Sequence, residues 1–170
     1  VGRDKIAPRA AQIDREACNP LENYDDLRES GIHRMCVPER FGGLGHDYAT
    51  YMMVSSELGR HCGATALSFN MHASTTFWIG DMLDGLDLSP EQQAEMESLR
   101  TLHYKRIVED GALYAQTFSE GNLAAAGKSP FGTTAKKVEG GWILNGRKIF
   151  ASLSGAATHY GILCTEAADP

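Results

Sequence analysis

No stretch of this sequence is apolar for long enough to cross a bilayer, and no signal peptide opens it. These absences predict a soluble protein of the cytoplasm with no membrane partner. No run of Lys or Arg occurs either. Lys136-Lys137 and Arg147-Lys148 are isolated pairs in a chain of net charge −6. A nucleic-acid surface needs a basic patch, so no nucleic-acid partner is expected. Cys18, Cys36, Cys62 and Cys164 are scattered, and neither Cys-x-x-Cys nor His-Glu-x-x-His occurs. The reading is four free thiols and no metal site. A Gly-x-Ser-x-Gly elbow is missing as well. His61 beside Cys62 makes a poor nucleophile–base pair, because adjacent helix residues point about 100° apart.

What is present reads as a soluble globular protein. Of 170 residues, 42% are hydrophobic and 22% charged. That length suits one large domain or two small ones. The chain begins at Val1 and stops at Pro170 in mid-pattern, which predicts a fragment.

The first hundred residues carry helical periods. Ile6, Ala10, Ile13 and Ala17 lie on one helix face, and Asn19-Pro20 ends that helix. Tyr24–Ser30 predicts a short second helix with Gly31 as its C-terminal cap. Residues 37–45, Val-Pro-Glu-Arg-Phe-Gly-Gly-Leu-Gly, predict tight turns that let two helices pack. The same loop could cradle a phosphate, although no P-loop Lys-Ser follows. Asp47 is placed to cap a helix running to about Arg60, with Tyr51, Val54 and Leu58 as its apolar stripe and Met52 widening it. Residues 64–79 are small and apolar all round, as in a buried helix. His72 inside it is either a hydrogen-bonded core residue or a group facing substrate. Ser89-Pro90-Glu91-Gln92 is a capping-box start for a helix to about Asp110. Met96, Leu99, Leu102, His103 and Ile107 are read as its inner side, and its Glu and Arg residues as a solvated face.

The chain changes character at Gly111. A short strand, Ala112–Thr117, is followed by 14 residues rich in Gly, Ala, Ser and Asn, a length often functional. Then Gly140-Gly141 and Asn145-Gly146 predict strand, turn, strand, turn, strand. The last strand would present Phe150 and Ser152 on one face, either to a flat ligand or as an ordinary sheet surface. Tyr160–Thr165 reads as one more strand. Helices first and strands after predict an α+β fold. Residues 1–111 would form an all-α domain, and 112–170 the first part of a β-domain. Open sheet edges there predict more chain or a partner.

These parts, in this order, resemble the acyl-CoA dehydrogenase family. The resemblance rests on Leu27-Arg28-Glu29-Ser30-Gly31, the 37–45 loop with His46-Asp47, and Glu57-Leu58-Gly59. It is clearest in Tyr114-Ala115-Gln116-Thr117 and in Gly141-Trp142-Ile143-Leu144-Asn145-Gly146-Arg147-Lys148-Ile149-Phe150-Ala151-Ser152. It implies an N-terminal helical domain, then an antiparallel, barrel-like β-domain, with the family's C-terminal helical bundle absent from this chain.

The resemblance also implies FAD and an acyl-CoA substrate that is α,β-dehydrogenated. The strand Tyr114–Thr117, with Gln116, would lie along the flavin, and Thr117 would bond the pyrimidine end of the ring. Phe150 would cover one ring face, and Ser152, after Ala151, would reach N5. Gly121-Asn122 loosely replaces the family's Gly-Ser near the substrate, and His72 is the other candidate there. The family's Glu-Pro after the Thr is replaced by Phe118-Ser119, which suggests an unusual substrate. The family's catalytic carboxylate comes from the bundle, so no base is assigned; Asp81 and Glu120 are in the wrong parts of the chain. A homo- or hetero-oligomer is expected from the open sheet edges, and the resemblance implies an electron-transfer flavoprotein as acceptor. Two alternatives stay open: a flavin monooxygenase or oxidase on the same scaffold, and a non-catalytic subunit that pairs with a second chain.

Overall fold

The computed structural model describes residues 1–80, 84–122 and 124–167, with only the backbone at 125. Asp81 lies outside them. Gly2–Ile6 forms a π-helical turn that runs into α1 (Ala7–Glu16), which ends at Ala17 in the left-handed region, φ 47°. Ile6 and Ile13 are buried, as their period predicts. The second helix, α2 (Leu21–Glu29), starts three residues earlier than the sequence suggests and stops before Gly31, φ 79°. Helix α3 (Tyr48–His61) is capped by Asp47, whose Oδ1 accepts from Thr50 N at 2.8 Å. Tyr51 and Leu58 face the core, whereas Met52 is exposed and does not widen the stripe.

The 37–45 loop is a packing turn. Gly43 is obligatory there, because a Cβ would stand 1.9 Å from the Val37 carbonyl oxygen. The amides of Leu44, Gly45 and His46 donate to the carbonyls of Arg34, Val37 and Met35 at 3.2, 2.9 and 2.9 Å. With its amides spent inside the chain, the loop offers no cradle for a phosphate.

Helix α4 (Gly63–Ile79) is the central buried helix, and α5 (Pro90–Glu109) packs across its C-terminal half. The capping box at Ser89 and Gln92 forms as read. The inner face of α5 differs from the expectation. Arg100, Tyr104 and Ile107 are buried, while Leu99 and Leu102 are exposed. Arg100 is drawn inward because it donates to the carbonyls of Ile79 and Gly80 at 3.0 and 3.2 Å, satisfying the C-terminal end of α4. Glu97 and Asp84 pair with the same guanidinium.

The strands form two small sheets. Strand β1 (Tyr114–Thr117) pairs in parallel with β4 (His159–Ile162). The second sheet has the order β3-β2-β5, from β3 (Gly141–Asn145), β2 (Thr134–Val138) and β5 (Thr165–Glu166). Strands β2 and β3 make the hairpin expected at Gly140-Gly141, but β2 and β5 run parallel. Among the described residues, then, the fold is α+β as expected, but the strands are mixed rather than purely antiparallel and close no barrel. The third hairpin strand is also absent. Among the described residues, 146–150 join no strand; Lys148 and Ile149 bond instead to the Phe118, Glu120, Leu163 and Ser119 groups. Tyr160–Thr165 divides between β4 and β5.

Candidate functional site

The C-terminal end of β1 is where the expected site residues gather. Thr117 is buried, and its hydroxyl donates to the Gly161 carbonyl on β4 at 3.1 Å. The chain after it is held by Glu120, which the sequence reading set aside. The Glu120 carboxylate takes a 2.8 Å ion pair from Lys148 and accepts the amides of Gly132 and Thr133 at 2.7 and 2.9 Å. Lys148 also donates to the carbonyls of Phe118 and Leu163, and Ile149 N donates to Ser119 O at 2.9 Å. The Lys148 ammonium, then the Thr133 bonds, hold the Glu120 carboxyl well below the usual carboxylate range. A carboxylate so locked is no general base.

This anchor delivers Phe150 next to the end of β1, one residue beyond the Ile149–Ser119 bond. Phe150 sits in the left-handed region at φ 55° and its ring is 85% exposed. The expected strand geometry for Phe150, Ala151 and Ser152 is therefore corrected to a turn, with Ser152 N bonded to Phe150 O at 2.9 Å. A bulky residue held at positive φ with its ring in solvent is strained, and such strain concentrates at functional sites. Leu153 then turns into the core. Ala151 and Ser152 line a cleft of about 280 Å³ at the N-terminal end of α4, with Ser68, Leu67 and Asn19.

The other expected residues separate. His72 is not substrate-facing. It is fully buried, its Nε2 meets the His33 carbonyl at 2.6 Å, and its Nδ1 accepts the Tyr114 amide at 3.1 Å. That geometry fixes the neutral Nε2–H form, and burial pushes its pKa down to about 4. Asn122 is spent inside its loop, donating to Glu120 and accepting from Ala124 N at 2.9 Å. Gly121 is exposed, and a Cβ there would meet nothing within 4 Å.

Gln116 and Tyr114 point elsewhere. Gln116 lines a larger cavity, about 500 Å³, between α4, α5 and the β1–β4 pair. Trp78 and Ile79 of α4, Met96, Leu99 and His103 of α5, and Phe118 supply most of its apolar wall. Trp78 and Phe118 meet edge to face, with centroids 5.1 Å apart. The Tyr114 hydroxyl lies 2.8 Å from His103 Nδ1, and its ring stacks on His159 at 4.8 Å and 13°. Sequence periodicity put Met96, Leu99 and His103 of this lining on the inner side of α5. It could not say that this stripe faces a void and the neighbouring one the core.

A central helix pair crossed by α5, followed by a parallel β1–β4 step, defines an acyl-CoA dehydrogenase-type fold. It superposes with a TM-score of 0.71 on butyryl-CoA dehydrogenase from Megasphaera elsdenii, at 26% identity over 95% of this chain and 40% of that one. Residues 1–82 match the acyl-CoA dehydrogenase N-terminal domain, which places this part of the chain in the acyl-CoA dehydrogenase family. It is similar to the amino sugar nitrososynthase DnmZ of Streptomyces peucetius, 34% identical over 153 residues, covering 86% of this chain and 33% of the relative. It also resembles KijD3, solved in complex with dTDP, with a TM-score of 0.77 and 26% identity over 97% of this chain and 40% of that one. The chain spans about a third of the length of the curated relatives it matches. Among the described residues, no group of three His, Cys, Asp or Glu is placed to hold a metal, and no helix is long and apolar enough to cross a membrane.

Proposed function

We propose that this chain is part of a flavin-dependent oxidoreductase that α,β-dehydrogenates an acyl-CoA thioester. The observation that carries this reading is the convergence of Thr117 and the exposed Phe150 ring through the Glu120–Lys148 anchor. The residues present suit a flat ring. Among the described residues, strand β1 has a strand partner on one edge only, Phe150 offers an uncovered aromatic face, and Ser152 sits on the turn just after it. When bound, FAD would supply the hydride acceptor.

The chain's own residues position and shield. Thr117 already donates to Gly161, so toward a ligand its hydroxyl serves as an acceptor. Backbone groups of Tyr114 and Gln116 would flank the ring, Phe150 would cover it, and Ser152 would donate at its edge. Gly121, with open space around it, leaves room for the substrate to approach closely, and Asn122 holds that loop in shape. The base lies outside these residues, as do the contacts to an electron-transfer flavoprotein and to partner subunits. Residues 1–111 and 112–170 are the two units this reading assigns, and four free thiols favour the cytoplasm.

The second reading is flavin-dependent monooxygenation of an amino sugar. It is favoured by the 34% identity to DnmZ and the 0.77 TM-score with KijD3, both above the values for butyryl-CoA dehydrogenase. FMN would then be the natural alternative to FAD. One experiment separates them: titrate the flavin-loaded protein anaerobically with a series of acyl-CoAs. Bleaching of the oxidised flavin band is expected. An unbleached band, with oxygen uptake by the reduced flavin in the presence of an amino-sugar nucleotide, would replace the first reading by the second.

A further inference from the structure

We infer that α5 is the contact surface of a homodimer, packed antiparallel against the α5 of a second copy of this chain, with Glu95 of each copy across from Arg106 of its partner. The inference stands apart from the flavin reading, none of whose residues it uses.

Helix α5 carries two stripes. Arg100, Tyr104 and Ile107 turn inward and are buried. Glu95, Leu99, Leu102 and Arg106 follow a 4-3-4 spacing, the seam spacing of paired helices, on a face turned away from the first. Leu99 and Leu102 are 49% and 43% exposed at the middle of that seam. Two uncovered leucines, one turn apart in the middle of a 20-residue helix, leave an apolar patch that continues onto the cavity wall through Met96 and Trp78. A patch of that kind, rimmed by charge, marks a contact surface.

The charges on the seam say what covers it. The ion pairs of α5 use Glu97 and Arg100, and neither Glu95 nor Arg106 has an ion-pair partner among the described residues. They carry opposite charges at opposite ends of the leucine pair, about 16 Å apart along the helix axis.

A two-fold axis midway between Leu99 and Leu102 satisfies both. It brings Leu99 against the partner's Leu102 and Glu95 against the partner's Arg106, and each contact occurs twice. One step further out Gln92 meets the partner's Glu109, which adds no like-charge contact. A parallel pairing would set Glu95 against Glu95 and Arg106 against Arg106, so the charges select the antiparallel arrangement. On this seam α5 is its own charge complement, and its occupant is therefore a second copy. The seam is short, so the dimer is a weak one, with Kd on the order of 10–100 μM, and its charges set partner and direction more than affinity.

The test is sedimentation equilibrium of the protein over a range of concentrations, in an Ile143→Lys background that keeps the exposed strand β3 from associating. A monomer–dimer equilibrium is expected, weakening several-fold as NaCl rises from about 50 to 500 mM. Glu95→Arg and Arg106→Glu should each raise Kd about tenfold, since each sets like charges on both sides of the leucines. Mixed in equal amounts, the two variants should pair with each other about as tightly as the unreversed protein pairs with itself, because every facing pair is then of opposite sign. Leu102→Lys should leave a monomer. Circular dichroism on each variant separates lost folding from lost pairing. Glu95→Arg and Leu102→Lys, both at exposed positions, keep the test decisive if the half-buried Arg106→Glu does not fold. A monomer at concentrations well above that Kd, a dimer indifferent to Glu95→Arg and Leu102→Lys, or two charge variants that pair no better with each other than with themselves would each overturn the inference.

Discussion

His72 shows how a single buried imidazole can tie three elements together. It joins the carbonyl of His33, the body of α4 and the amide that opens β1. Its pKa is lowered from 6.5 to about 4, so in the window between those values the unfolded chain binds a proton that the folded chain refuses. Stability linked to this group is therefore full above pH 6.5 and falls as pH drops toward 4, by roughly 3 kcal/mol in all. His72→Gln is expected to cost about 2–4 kcal/mol at pH 7, because a buried amide and carbonyl lose their partners. The gap to wild type should narrow as pH falls to 4. Urea melts at pH 7, 5.5 and 4 check this; a gap independent of pH would mean the ring titrates alike in the folded and unfolded chain. The sequence left His72 between two readings, since a polar residue on a buried helix has the same local pattern whether its partner is backbone or ligand. Only the path of Tyr114, 42 residues on, decides between them.

At the scale of elements, what was readable was local. The Asp47 cap, the Ser89 box and the Gly140 turn each complete their hydrogen bonds within a few residues, so the pattern and its partner are adjacent in sequence. What failed was non-local. Arg100 reads as solvated until the carbonyl ends of α4 are known to lie beside it. The Glu120–Lys148 pair spans 28 residues. The expected Phe150 strand gives way to a turn held from far away in sequence, through the Ile149 N–Ser119 O bond. The same contrast makes a prediction about two glycines. Gly43→Ala should destabilise by about 3 kcal/mol or more, since Val37 and its turn must move to admit the methyl group. Gly121→Ala should change stability by no more than about 0.5 kcal/mol. Thermal melts of the two variants compare them directly. Equal losses would mean that the 37–45 turn yields more easily than its bonds suggest.

Across the whole molecule, order and separation of motifs identified the family where no single motif could. The helical half matched that expectation closely. The strand half departed from it, because a strand's partner is set by pieces of chain far away. One feature of that half reaches beyond the fold. Among the described residues strand β3 is the outer member of its sheet, and Trp142, Ile143 and Leu144 are 51%, 59% and 47% exposed along it. A twisted ribbon with apolar side chains on both faces and an unpaired backbone edge is a template for addition of another strand. Taken by itself, the 170-residue chain should be colloidally fragile. Light scattering should rise with protein concentration and with sulfate, which strengthens apolar association. Ile143→Lys should suppress that rise while leaving the melting temperature almost unchanged, because the position contributes little to the core. If scattering persists in that variant, the sticky surface lies elsewhere. If it vanishes, one lysine at the rim of the hairpin is enough to keep these molecules apart in solution.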